Sequence, residues 1–451
     1  MRHRLNQLLV SAALAAAGLP LAAAASPDGA APADAVSQSR LKADVARLVA
    51  FGTRHTLSSQ NDPKRGIGAA RGWAEAELHR TGEACSGCLE IVLPETVVQG
   101  DRLPSPTRLV DVVEIQRGTE RPNEVVIVQG HIDSRNSDPL DATGIAPGAN
   151  DDGSGVALVL EAARVLSKLK FAGTIVYAVL SGEEQGLYGG KLLANYAKNL
   201  GWAVKAVLNN DIVGNSRGSD GFVDGNHVRV FSEGPRADAS EGARNALRAI
   251  GGENESPSRN LSRWIANLGG TDLAVRQVWR ADRMGRGGDH LPFQEAGYPA
   301  VRFTVAVENY EKQHQNVRTE KGRPFGDTME AMDFAYLAKV TALNVRLLAK
   351  LAQTPMPPVV KVTAAVQTFT DVDWEPVPGA ARYIVWQRRT DSPGWERKLA
   401  EGVTETHQRF EGVRGDDWFF GVSAVSADGA ESPIASAVPG GAFVPEVAAN
   451  P

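Results

Sequence analysis

The chain has 451 residues, enough for two or three domains, and its 43% hydrophobic and 22% charged content is that of an ordinary folded protein. A formal net charge of −5 argues against a nucleic-acid binder, which needs a basic face.

Residues 1–25 carry Arg2 and Arg4, then LLVSAALAAAGLPLAAAA, and end in small residues that fit an A-x-A cleavage site. This pattern predicts a secretory signal peptide cut after Ala25, hence a secreted or periplasmic protein. Gly18 and Pro20 interrupt the Ala-rich run, so no stable membrane span is expected once the leader is gone. Loss of Arg2 and Arg4 takes the formal charge from −5 to −7. Residues 26–38 (SPDGAAPADAVSQ) read as a low-complexity, flexible tether. Helical periodicity follows over Arg40–Phe51 and Gly66–His79. His55 in the connection, beside Arg54, reads as polar surface or a cap, as do His79 and His227. The only cysteines, Cys85 and Cys88, lie in EACSGCLE between a helical run and a strand-like LEIVL. In an exported protein the pair reads as a small structural disulfide rather than a thioredoxin-like redox site.

Three apolar, β-branched runs come next: Val125–Val128, Thr174–Leu180 and Val204–Leu208. Each leads into metal-competent side chains: His131, then Glu183 with Glu184, then Asp211. Asp151 sits in a Gly-rich turn (GANDDGSG) ahead of an amphipathic run containing Val156, Val159, Leu160, Ala163 and Leu166. Strands alternating with helical segments predict a mostly parallel sheet, and such sheets bind ligands beyond their strands' carboxyl ends. The expected fold class is α/β, a mixed, mostly parallel central sheet flanked by helices.

One imidazole and several carboxylates at one sheet edge suit a two-metal hydrolytic site, which needs neutral imidazoles, a bridging carboxylate and a free carboxylate as general base. His131 can serve one metal, Asp151 can bridge, and Glu184 and Asp211 can supply further oxygens. Neighbouring side chains at a strand end diverge, so one of Glu183 and Glu184 can ligate while the other faces the attacking water. Asp133, two residues after His131, projects from the same face and can accept the imidazole's other N–H.

Beyond Asp211, DASEGARNALRAI reads as a helix, PAVRFTV as a strand and Met329–Leu351 as one long helix. Three prolines from Pro355 mark a boundary. The division predicted is 39–353 as catalytic domain, 354–362 as Pro-rich linker, 363–445 as an all-β sandwich and 446–451 as tail. In the last part VDWEPV, ARYIVWQR and WFFGVSAVSADGAES alternate at strand period. That segment resembles a fibronectin type III module, with Phe420 standing where a corner tyrosine is usual. The resemblance names no ligand, and a surface or polymer contact through this module stands as one alternative role for it.

Taken together, GHIDS, PGANDDGSG, SGEEQGLYGG, LNND and GGDHLPF resemble the co-catalytic di-zinc aminopeptidases of the bacterial leucyl aminopeptidase type, over about Arg40 to Leu351. The resemblance implies two zinc ions bridged by Asp151, with His131, Glu184 and Asp211 as ligands and Glu183 as base. It also implies a fifth ligand after the last core strand, His314 in KQHQNVR, with His290 as the competing imidazole and Asp289 beside it in the site wall. A tyrosine that some relatives carry is absent, and Arg283 and Arg286 occupy that region as candidates for oxyanion stabilisation. The implied substrates are peptides with a free N-terminus. Arg135, Arg283, Arg286 and Arg318 near the motifs leave a carboxypeptidase-like or glutaminyl-cyclase-like relative as the alternative, or a non-enzymatic binding protein of the same fold.

Overall fold

The computed structural model describes residues 30–446, so the leader expected at residues 1–25 lies outside it. Among the described residues no helix is long and apolar enough to cross a membrane. An eight-stranded sheet forms the centre. In spatial order its strands are Glu90–Val92, Val112–Gln116, Gly173–Leu180, Arg121–His131, Ala203–Asn210, Ala300–Val305, His227–Phe231 and Ala274–Val278. The four inner strands, from Gly173–Leu180 to Ala300–Val305, run parallel, and antiparallel pairs join them to the flanks. Most inner-strand residues are buried, and their apolar runs pack on both faces of the sheet because both faces are covered. Val126 and Val128 face one core, under helices Gln38–Val49, Gly66–Ala84, Gly153–Leu166 and Phe334–Gln353. Val125 and Ile127 face the other, under helix Tyr188–Asn199.

Several expectations need correcting. Residues 30–38 are not a free tether. Ala30–Ala33 is a short helix, Ala33 joins the main core, and the Ser37 N–H donates to buried Glu161 at 2.6 Å. The long C-terminal helix of the α/β layer starts at Phe334 rather than Met329, because the Asp333 carboxylate caps it by accepting the Tyr336 N–H. His55 is fully buried, its Nε2 2.9 Å from the Pro139 carbonyl oxygen. The start of the Pro-rich segment is packed against the α/β layer. Buried Lys205 donates to the carbonyls of Leu351 and Thr354, and a strand already begins at Val360. Cys85 and Cys88 are joined by a disulfide at the helix-to-strand turn, where Ser86 and Gly87 both take positive φ.

After Val360 the chain forms a three-stranded and a four-stranded antiparallel sheet, packed face to face over Val372, Trp374, Tyr383, Val385, Phe420 and Val422. The hydroxyl absent at Phe420 is supplied elsewhere: the Tyr383 oxygen accepts the Val377 N–H at 2.9 Å. This β unit is latched to the α/β layer through buried Glu255, which pairs with Arg388, takes the Ser436 hydroxyl at 2.7 Å and meets Arg263 at 3.3 Å. The returning strand of chain is clamped by Arg236, which donates to the carbonyls of Ala442 and Val444, and it inserts Phe443 into the main core.

Two predictions follow from this packing. Phe443→Ala should cost about 3–5 kcal/mol of stability, read as a lower denaturant midpoint with an unchanged slope. Glu114, wholly buried with neither carboxylate oxygen hydrogen-bonded, has its pKa raised by burial from 4.5 to about 8. Between those values the folded state holds a proton that the unfolded chain releases, so stability falls as pH rises through that window. Glu114→Leu should flatten that part of the stability–pH curve and stabilise the protein most at pH 8, measured by denaturation at pH 5 and pH 8.

Candidate metal centre

The parallel strands deliver their C-terminal residues to one edge. His131 ends its strand, Glu183 and Glu184 follow Leu180, and Asp211 follows Asn210. Asp151 lies in the turn before helix Gly153–Leu166, and His314 in the loop after Val305, at φ 51°. Their donor atoms form two groups, His131–Glu183–Asp211 and Asp151–Glu184–His314, each within 4.8 Å of one another. Asp151 adjoins both: one oxygen is 3.2 Å from His131 Nε2 and the other 2.9 Å from His314 Nε2. His314 Nε2 also lies 2.9 Å from Glu184 Oε1, and His131 Nε2 3.9 Å from Asp211 Oδ1.

The donor set fits divalent cations. His131 Nε2 and Glu184 Oε1 are buried and have no hydrogen bond, an arrangement that is costly unless a ligand occupies the site. Burial pushes the Glu183 pKa well up, His131 opposes the shift, and Asp211, Glu184 and Asp289 add to it. Burial opposes the charged form of His314, yet Glu184 and Asp151 outweigh it and raise that pKa to about 10. Mixed imidazole and carboxylate donors suit zinc.

Surrounding groups hold these side chains in place. The Asp133 carboxylate accepts the N–H groups of Gly182, Glu183 and Glu184 at 2.9, 3.2 and 3.0 Å, fixing the turn that carries both glutamates. It does not take the His131 N–H as expected. Nδ1 is 3.1 Å from the Asp133 carbonyl and 3.6 Å from its carboxylate, because the carboxylate is engaged by those three amides. A carbonyl only accepts, so Nδ1 carries the hydrogen and Nε2 turns its lone pair to the cluster. Asp152, linked to Asp151 by a cis peptide bond, accepts the N–H groups of His131, Gly155 and Ile212. Asp327 accepts those of Asn150 and Asp151. Fully buried Arg54 donates to the carbonyls of Leu48, Ile132, Pro147 and Gly148, and so ties the end of the His131 strand to the Asp151 turn.

His290 joins neither group. It is buried with Nε2 2.8 Å from the Ala281 carbonyl oxygen, and His314 is the imidazole brought to the second cluster. Asp289 accepts the Gly190 N–H at 3.1 Å and so seats the start of helix Tyr188–Asn199. The guanidiniums paired with cluster carboxylates are Arg135, on Glu184 at 2.8 Å, and Arg302, on Asp211 at 2.7 Å. Arg283 and Arg286 pair instead with Glu308 at the side of the cleft, and Arg318 lies out on the surface with Glu320. Arg54, Asp152, Arg302 and Asp327 escaped the sequence reading. A signal existed for two of them: a charged residue inside the buried run PAVRFTV demands an acid partner, and an aspartate directly before a helical run is a cap. The clusters open into a cleft of about 710 Å³ that also meets Asp101, Arg102, Tyr188 and Gln313.

The sequence profile of Peptidase family M28 matches residues 111–336. A "probable zinc metalloprotease" of Leptosphaeria maculans is 40% identical over 90% of this chain and 95% of its own length. Another from Pyricularia oryzae is 41% identical over 90% of this chain and 83% of its own. Among solved structures, the Legionella pneumophila LapA aminopeptidase has the same fold, with a TM-score of 0.52 at 17% identity over 72% of each chain. With a profile spanning half the chain and relatives matching nearly all of it, the chain belongs to peptidase family M28 and is a zinc metallopeptidase.

Proposed function

We propose that this peptidase is an exported exopeptidase that removes residues from the free N-terminus of peptides, with Glu183 as its general base. The observation that carries this reading is the pair of adjacent donor groups joined at Asp151, with Glu183 half-buried at the cleft floor. His131 and Asp211 would hold one zinc ion, Glu184 and His314 the other, and Asp151 both. When bound, the ions supply a polarised carbonyl and a water acidic enough to attack near neutral pH. Glu183, which lies in the first donor group beside His131 and Asp211, is assigned as the base rather than as a ligand. Its side chain has no hydrogen-bonding partner among the described residues, so it is free to take the water's proton and return it to the leaving amine. Asp133 keeps it aimed through the three backbone amides around the turn. The substrate's α-ammonium is drawn to the acidic floor formed by Asp151, Glu183, Glu184 and Asp211. Export is supported by the leader pattern at residues 1–25.

Glu183→Gln should retain both metals and lose turnover by about 10²–10⁴-fold, whereas Glu184→Gln should lose metal together with activity. Elemental analysis and kcat on the two variants separate the roles, and full turnover in Glu183→Gln would remove the proposed base. Products from peptides blocked at one end or the other distinguish amino- from carboxypeptidase action. Asp133→Asn, which places an amide donor against backbone donors, should lower metal affinity or kcat about 10–100-fold and lower thermal stability as well, since buried N–H groups lose their acceptor.

A further inference from the structure

We propose that the arginine-rich side of the metal cleft, with Arg286 at its open end, recognises a carboxylate of the peptide substrate; this rests on the peptide-hydrolysing reading of the same cleft. A chain of alternating charges runs from the cluster to that side. Arg302 contacts Asp211 at 2.7 Å and Asp282 at 3.3 Å. Arg283 contacts Asp282 at 3.0 Å and Glu308 at 3.5 Å. Glu308 then meets two more guanidiniums, Arg229 at 2.7 Å and Arg286 at 2.6 Å.

Four guanidiniums thus share three carboxylates, and one of the three, Asp211, also belongs to the metal cluster. The surplus positive charge is concentrated around Glu308, where a single carboxylate serves three arginines. The side chains of Arg302 and Arg283 are 0% and 8% exposed, so they cannot shed this excess into water, and Arg283 Nη1 is buried without a hydrogen bond. Arg286 is 29% exposed, lines the cleft beside Arg283, and has Glu308 as its ion-pair partner among the described residues. Its planar fork keeps N–H donors free for a second carboxylate. The chemistry defines the ligand as a carboxylate, which a peptide can supply from its C-terminus or from an acidic side chain.

The test compares kcat/KM of the zinc-loaded, full-length protein within two substrate pairs. The first is alanyl-alanine against alanyl-alaninamide, which reads the C-terminal carboxylate. The second is alanyl-glutamyl-alaninamide against its glutaminyl counterpart, which reads a side chain. One charge-assisted contact predicts an advantage of about ten- to hundredfold for the carboxylate in at least one pair. Arg286→Gln should bring that ratio close to one, and Arg286→Lys should leave an intermediate value. Because each ratio is taken within one preparation, loss of fold or metal lowers both rates and leaves the ratio unchanged. Calorimetric binding of the same peptides to zinc-loaded Glu183→Gln gives the preference without turnover. If the wild type binds with this preference but hydrolyses none of the peptides, the peptidase reading falls and the carboxylate site stands. Binding and rate ratios within twofold in both pairs, or a preference that survives in Arg286→Gln, would overturn the proposal.

Discussion

The structure depends on a concentration of buried negative charge at one edge of a parallel sheet. Asp133, Asp151, Asp152, Glu184, Asp211, Asp289 and Asp327 are all buried. Seven carboxylates cannot be kept there by imidazoles and arginines alone, and the molecule divides them by hydrogen bonding. Asp133, Asp152, Asp289 and Asp327 accept backbone N–H groups, which dissipate their charge and pin loops. Asp151 and Glu184 accept from the side chains of Gln313 and Arg135, Asp211 forms an ion pair with Arg302, and all three keep lone pairs for a cation. The first set is scaffolding for the second.

The same division explains why irregular loops can carry a well-ordered site. Irregular backbone near a buried centre leaves amides and carbonyls unpaired, and each such group is costly away from water. Here the carboxylates collect the amides and Arg54 collects four carbonyls. The loop that supplies His314 is held less fully. Arg135 donates to Glu184 at 2.8 Å and lies 2.7 Å from His314 Nδ1, so one guanidinium sits beside two members of the second cluster that lie on separate loops.

The C-terminal β unit obeys the same rule on a larger scale. Glu255 contributes a carboxylate with no exposure to solvent, and Arg388 and Ser436 from the β unit complete its partners. Separating the two parts would strip Glu255 of Arg388 and Ser436, leaving it Arg263 alone, and would withdraw Phe443 from the core. The β unit therefore belongs to the folding of the α/β layer, whatever it contacts outside.

Much of this was legible from the chain alone, because its signals are local. Apolar β-branched runs ending in His131, Glu183–Glu184 and Asp211 mark parallel strands that deliver polar groups to one edge, and the Gly-rich turn with Asp151 precedes a helix of apolar period. Such patterns sufficed for the α/β class, the all-β C-terminal part and His131, Asp151, Glu183, Glu184 and Asp211 in the two clusters, whereas His314 followed only from the family resemblance. What tertiary structure decided is the pairing of groups far apart in sequence: Arg54 with residues 132 to 148, Asp327 with Asp151, Arg302 with Asp211, Glu255 with Arg388. It also decided that His314 rather than His290 reaches the cluster, and that the Asp133 carboxylate holds amides while its carbonyl orients His131. Periodicity reports how one segment meets a core, whereas a buried charge takes its partner from whichever segment the fold brings within about 3 Å, and no local pattern encodes that choice.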